Sequence, residues 1–238
     1  MNVPLVAVMV AAAISLKAPL EDAARSFVAG NPGEPIKFTF GSCGQLEARI
    51  EDGLPADLFL SASPVEIDRL AAVKRIDTAT RVTIAGNRLV VVVPRGVQPP
   101  VAVSGLADPR FRRVAIGNIK HVPAGRYARE ALAASGVLDV VSKRFVYGAN
   151  VRDVLDLVAH RLADVGFVYA TELPLRIDAI DLAFELPENL HSPILYEGAL
   201  LAGAKGSARA GAFLHFLTSS AGHASFVARG FLAPQTQP

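Results

Sequence analysis

Apolar runs of strand length alternate with helix-period segments along most of this 238-residue chain, and that alternation is what most narrows its fold. Residues 36–40, 56–62, 89–93, 114–117 and 165–169 are rich in Val, Ile, Leu and Phe and bounded by Gly, Pro, Ser or Asn. Several read as strands buried on both faces, residues 89–93 most clearly. Between them, apolar residues recur at helical spacing, as with Leu16, Leu20, Ala23, Ala24 and Phe27. Residues 126–134 and 151–162 are expected to be helices, and residues 207–231 one or two more. Strands alternating with helices predict a mainly parallel α/β sheet.

The first apolar run, residues 3–16, has two readings. Its Ala11-Ala12-Ala13 end resembles the small-residue cleavage site of a signal peptide, but the first basic residue, Lys17, follows the run. Val6, Val8 and Val10 favour a buried strand instead. The run is too short and interrupted to span a bilayer.

Composition excludes several classes. With 24 basic and 22 acidic residues the formal charge is only +2, which gives no footprint for nucleic acid. Cys43 is the single cysteine, so neither a disulfide framework nor a multi-cysteine metal site can form. The apolar fraction of 51% suits a chain that buries substantial cores.

Five short stretches lie where a strand run meets a helix start. They are Ile14-Ser15-Leu16, Gly41-Ser42-Cys43-Gly44, Val122-Pro123-Ala124-Gly125, Asn150-Val151-Arg152-Asp153 and Phe167-Val168-Tyr169. Helix N-termini expose unpaired N–H groups at the positive end of the helix dipole, so several together make an anion site. Ser15 and Ser42 are hydroxyl donors that plain N-capping would also explain. Ser63-Pro64-Val65-Glu66 reads as a capping box with Pro at the first helical position. Cys43 at a helix start suits a thiol of lowered pKa. Ala124-Gly125 permits close backbone approach, Asn150 fits an N-cap, and Tyr169 presents a phenolic donor. Arg126 and Arg152 read as solvated helix positions. His121 is the histidine best placed in a loop.

With those stretches assembled, the chain resembles the periplasmic molybdate-binding proteins of ABC importers. The resemblance runs through Phe40-Gly41-Ser42-Cys43-Gly44-Gln45-Leu46, Pro55-Ala56-Asp57-Leu58-Phe59-Leu60-Ser61-Ala62, Ile76-Asp77-Thr78-Ala79-Thr80-Arg81, His121-Val122-Pro123-Ala124-Gly125 and Val165-Gly166-Phe167-Val168-Tyr169. It implies a two-lobed, type II periplasmic-binding-protein fold with the ligand in a cleft between lobes. Residues 1–85 and 196–238 would form one lobe and residues 86–195 the other, with hinges near 84–88 and 193–198. It implies that Ser15, Ser42, Cys43, Ala124, Val151 and Tyr169 hold a molybdate or tungstate ion by neutral donors; Arg126 and Asn150, which depart from the family pattern and make the cleft more positive, are additional candidate contacts. Cys43 stands where the family typically has a second serine. The resemblance further implies a monomer in the periplasm, a membrane permease as partner, and no cofactor; the signal peptide is expected to be absent from this chain.

Two other readings stay open at the level of sequence. The same fold could take a different oxyanion or a small organic anion through Arg126. An enzyme could use Cys43 as nucleophile with His121, although no third, orienting group can be nominated.

Overall fold

The computed structural model of the chain describes residues 7–204 and 207–234. Its elements run β1 (Val8–Ala13), α1 (Lys17–Gly30), β2 (Ile36–Gly41), α2 (Cys43–Glu51), β3 (Leu58–Ser61), α3 (Pro64–Ala72) and β4 (Val82–Gly86). Next come β5 (Leu89–Pro94), β6 (Val114–Gly117), α4 (Pro123–Ala134), α5 (Leu138–Val141), β7 (Phe145–Gly148), α6 (Val151–Ala159), β8 (Val165–Tyr169) and β9 (Ile180–Glu185). β10 (Leu195–Leu200), α7 (Ser207–Thr218) and α8 (Ser220–Val227) complete the chain. Short 3-10 turns join several of them. Among the described residues no helix is long and apolar enough to cross a membrane.

The chain divides into two compact units, residues 1–86 with 195–238, and residues 87–194. Each unit contains one five-stranded sheet. In the first the order is β2-β1-β3-β10-β4, and in the second β7-β6-β8-β5-β9. β1 pairs in parallel with β2 and β3, while β10 is antiparallel to both β3 and β4. β4 therefore runs the same way as β1, and only β10 is reversed. The second sheet repeats the scheme, with β6 parallel to β7 and β8 and with β5 antiparallel to β8 and β9. Each sheet is thus mainly parallel with one reversed strand set next to its edge.

Residues 89–93 are fully buried, as their unbroken apolar run predicts. Strand β1 occupies residues 8–13 of the first apolar run; residues 3–6 of that run lie outside the described residues. Three strands, β4, β9 and β10, were not evident in the sequence pattern. β10 carries Glu197 and Gly198, both poor strand formers. Glu197 is held there by Arg81, whose Nε donates to Glu197 Oε2 at 2.8 Å while its Nη1 reaches Asp68 at 2.6 Å. Burial nevertheless pushes the Glu197 carboxyl up, with Arg81 opposing it.

The core of the first unit is closed by its C-terminal helices. Phe27 of α1 packs on Phe213 and Phe216 of α7, with ring centroids 5.3 and 5.4 Å apart. Phe231, just beyond α8, meets Phe226 and Tyr196 edge-on. Burying one such ring is worth about 2–3 kcal/mol, so these helices are integral to the unit. In the second unit, helix α4 begins at Pro123, three residues earlier than the sequence pattern predicts. Helix α6 stops at Ala159, three residues early, because the chain turns into a left-handed conformation at Arg161 (φ 58°).

Candidate functional site

Register places the C-terminal ends of β1, β2 and β3 along one sheet edge, with Ala13 opposite Gly41 and Ala12 opposite Leu60. The turns that leave this edge carry Ser15, Ser42 with Cys43, and Ala62 with Ser63. A first donor cluster is built this way by strand ends and helix starts.

Ser15 does not cap α1, contrary to the sequence expectation. It lies inside a 3-10 turn (Ile14–Leu16), and Leu16 takes the N-cap position. Its Oγ, in a residue only 4% exposed, accepts a hydrogen bond from the Tyr196 hydroxyl at 3.1 Å. The tight turn directs the side chain toward β10 and away from the helix end.

Ser42 does occupy the N-cap of α2, with extended backbone (φ −73°, ψ 149°), yet its side chain makes no capping bond. Its Oγ is buried and has no hydrogen-bond partner among the described residues. Ser63, Asn150 and Ser219, at the N-caps of α3, α6 and α8, all do bond their helix N–H groups. A buried hydroxyl left unpaired costs about 1–3 kcal/mol, so its retention calls for a functional reason. Cys43 is the first residue of α2, and its buried Sγ accepts from Ala62 N at 3.2 Å. That bond ties the start of α2 to the end of β3. Cys43 has two donors, a weak S–H and the backbone N–H of the first helical turn.

Ser61, Ser63 and Tyr196 belong beside this cluster but were missed as site residues. Ser61 Oγ accepts from Ser63 N at 3.2 Å and donates to Glu66 Oε2 at 3.4 Å, with Ser61 and Glu66 both fully buried. Ser61 ends β3 much as the turn with Ser15 follows β1, a signal within reach of the sequence. Ser63 caps α3 through Val65 N, but its own N–H donates to Ser61 Oγ, where the expected capping box would have it donate to Glu66. Tyr196 lies 181 residues from Ser15 and had no local signal.

The second unit repeats the arrangement. Gly117 lies opposite Gly148, and Ala115 opposite both Val146 and Gly166, so β6, β7 and β8 end together. Ala124 is the second residue of α4, Val151 the first of α6, and Tyr169 the last of β8; all three are buried. The start of α4 presses on the end of β6 so closely that a Cβ on Gly125 would sit 2.0 Å from Gly117 O. Only glycine fits there. Ala124 and Val151 hold backbone N–H groups in the first turn of their helices, where no intrahelical partner exists.

Asn150 caps α6, its Oδ1 accepting from Arg152 N and Asp153 N at 2.9 and 3.1 Å. That oxygen is committed to the helix. Arg126 is the half-buried fourth residue of α4, its N–H donating to Val122 O at 3.3 Å. The Arg152 guanidinium is turned to Glu172, with Nε 3.1 Å from Oε2. Glu172 is 1% exposed, and burial pushes its carboxyl up to about 7 although Arg152 opposes the shift. The pair locks the start of α6 to the 3-10 turn that follows Tyr169.

The sequence-predicted residues therefore fall into two sets. Ser15, Ser42 and Cys43 share an edge of the first unit, while Ala124, Arg126, Asn150, Val151 and Tyr169 share an edge of the second. Among the described residues no group of three or more His, Cys, Asp and Glu could hold a metal ion. Cys43 lies in the first unit and the exposed His121 in the second.

A family model for bacterial extracellular solute-binding proteins matches residues 8–232. The molybdate-binding protein of Escherichia coli is 35% identical over 201 residues, covering 82% of this chain and 77% of that protein. Its counterpart in Haemophilus influenzae is 31% identical over 233 residues, covering 95% and 90%. The structure of the periplasmic molybdate-binding protein of Azotobacter vinelandii superposes with a TM-score of 0.82 at 25% identity, covering 96% of this chain and 100% of that one. The match spans both units and both donor clusters, and the chain belongs to the family of bacterial extracellular solute-binding proteins.

Proposed function

We propose that this solute-binding protein captures molybdate or tungstate outside the cytoplasm and delivers it to the membrane permease of an ABC importer. The observation that carries the reading is the Ser42 hydroxyl, buried at a helix start and bonded to nothing among the described residues. Relatives that bind molybdate by name support the choice of anion. In this reading the neutral donors offered to the anion are Ser15, Ser42, the N–H groups of Cys43, Ala124 and Val151, and the Tyr169 hydroxyl. The protein works as a monomer in the periplasm and needs no cofactor.

The chemistry of such a set is selective. Molybdate and tungstate are proton-free tetrahedral dianions near neutral pH, so neutral donors can satisfy every oxygen. Hydrogenphosphate brings a proton that needs an acceptor, and leaving it unpaired costs about 1–3 kcal/mol. Sulfate is proton-free but smaller, so size must exclude it.

Thermal unfolding tests the reading. A ligand at a hundredfold excess over its dissociation constant stabilises the folded state by about 2.7 kcal/mol, or roughly 5–10 °C in a chain of this size. Molybdate and tungstate should each raise the midpoint by that order. Equal midpoints with and without both anions would overturn the reading.

A further inference from the structure

We infer that Tyr196 is a positioning residue that holds the Ser15 hydroxyl as a hydrogen-bond donor to the bound oxyanion. The inference rests on the oxyanion reading above and names a residue that reading does not contain.

A serine hydroxyl has one proton and two lone pairs and rotates to suit its surroundings. Beside a dianion only the proton is useful. The Tyr196 hydroxyl donates to Ser15 Oγ at 3.1 Å, with Tyr196 fully buried and Ser15 4% exposed. One lone pair of Ser15 is thereby occupied, and its proton cannot turn toward Tyr196. Ser15 donates to no group among the described residues, so its proton remains available. A hydroxyl that accepts one bond is also polarised into a stronger donor, the more so in a water-poor interior.

The fold holds Tyr196 in this role from two sides. Its ring meets Phe231 edge-on at 5.3 Å and 74°, and Phe231 in turn meets Phe226 at 5.7 Å. On the strand itself, the pairing of β10 with β4 shifts register between Tyr196 and Glu197. Irregularities of this kind re-aim side chains and recur next to functional sites. Tyr196 is also the second residue of the first unit after the chain leaves the second at Ile194.

The experiment is a double-mutant cycle read by isothermal titration with molybdate. Tyr196→Phe removes one oxygen and keeps the ring that packs on Phe231. It should weaken molybdate binding roughly two- to tenfold, the worth of one neutral hydrogen bond. In a Ser15→Ala background the same change should cost nothing, because no hydroxyl remains to orient. A purely packing role would instead weaken both backgrounds alike, and that result overturns the inference, as does unchanged affinity in Tyr196→Phe. Replacing Tyr196 by 3-fluorotyrosine keeps the fold and makes the phenol a stronger donor; affinity should equal or exceed that of the unmodified protein. A fall would overturn the inference even where Tyr196→Phe proved unstable. If the unmodified protein binds neither molybdate nor tungstate, the receptor reading falls and this inference with it.

Discussion

At the scale of single residues, Ser42 separates stability from binding. Its hydroxyl is buried without a partner among the described residues, so the protein without ligand carries the desolvation cost and gains nothing in return. Ser42→Ala should therefore leave the unliganded midpoint unchanged or raise it slightly, while weakening molybdate roughly tenfold or more. Titration and thermal unfolding of the same variant check both halves. A variant that lost stability and kept its affinity would make Ser42 a structural residue. Ser42, Ala124, Val151 and Tyr169 were legible as candidates because each lies in a strand-to-helix stretch of the sequence. The setting of Ser15 was not, since a serine after a strand reads as a cap until a tyrosine 181 residues away is seen to donate to it. Cys43 was legible as an oddity. Its bond to Ala62 N was not, because it depends on two adjacent parallel crossovers ending at one edge.

At the scale of elements, the pairing of α6 with the turn after Tyr169 rests on Arg152 and Glu172. Burial raises the Glu172 carboxyl from 4.5 to about 7, so folding takes up a proton between those values. The stabilising contribution is complete on the acid side of that window and is lost as pH rises through about 7. The loss is on the order of 3 kcal/mol at most. Glu172→Gln cannot ionise and has no such loss. The midpoint of the unmodified protein minus that of Glu172→Gln should therefore fall between about pH 5 and about pH 8. A difference that stays constant over that range would show that Glu172 does not titrate there. Elements of strong local pattern, such as β5 and α6, could be read from the chain. β10 could not: its Glu197 is tolerated only because Arg81 arrives from another segment, and its reversed direction is fixed by pairing with β3 and β4.

At the scale of the whole molecule, one scheme is used twice. Each unit sets three parallel strand ends beside helix starts and inserts one reversed strand near the sheet edge. The second unit is continuous in sequence, whereas the first needs the C-terminal segment to complete its sheet and core. The alternation of strands and helices made the fold class legible. The discontinuity of the first unit was legible only through family resemblance, since nothing local announces that residues 195–200 return to β3. The proposed function requires that neutral donors select a proton-free dianion. Isothermal titration with molybdate, tungstate, sulfate and phosphate in parallel, under reducing conditions, is the decisive experiment. One molybdate or tungstate should bind per chain, with sulfate and phosphate neither binding nor competing. Binding of phosphate as tight as molybdate, or two ions per chain, would contradict it.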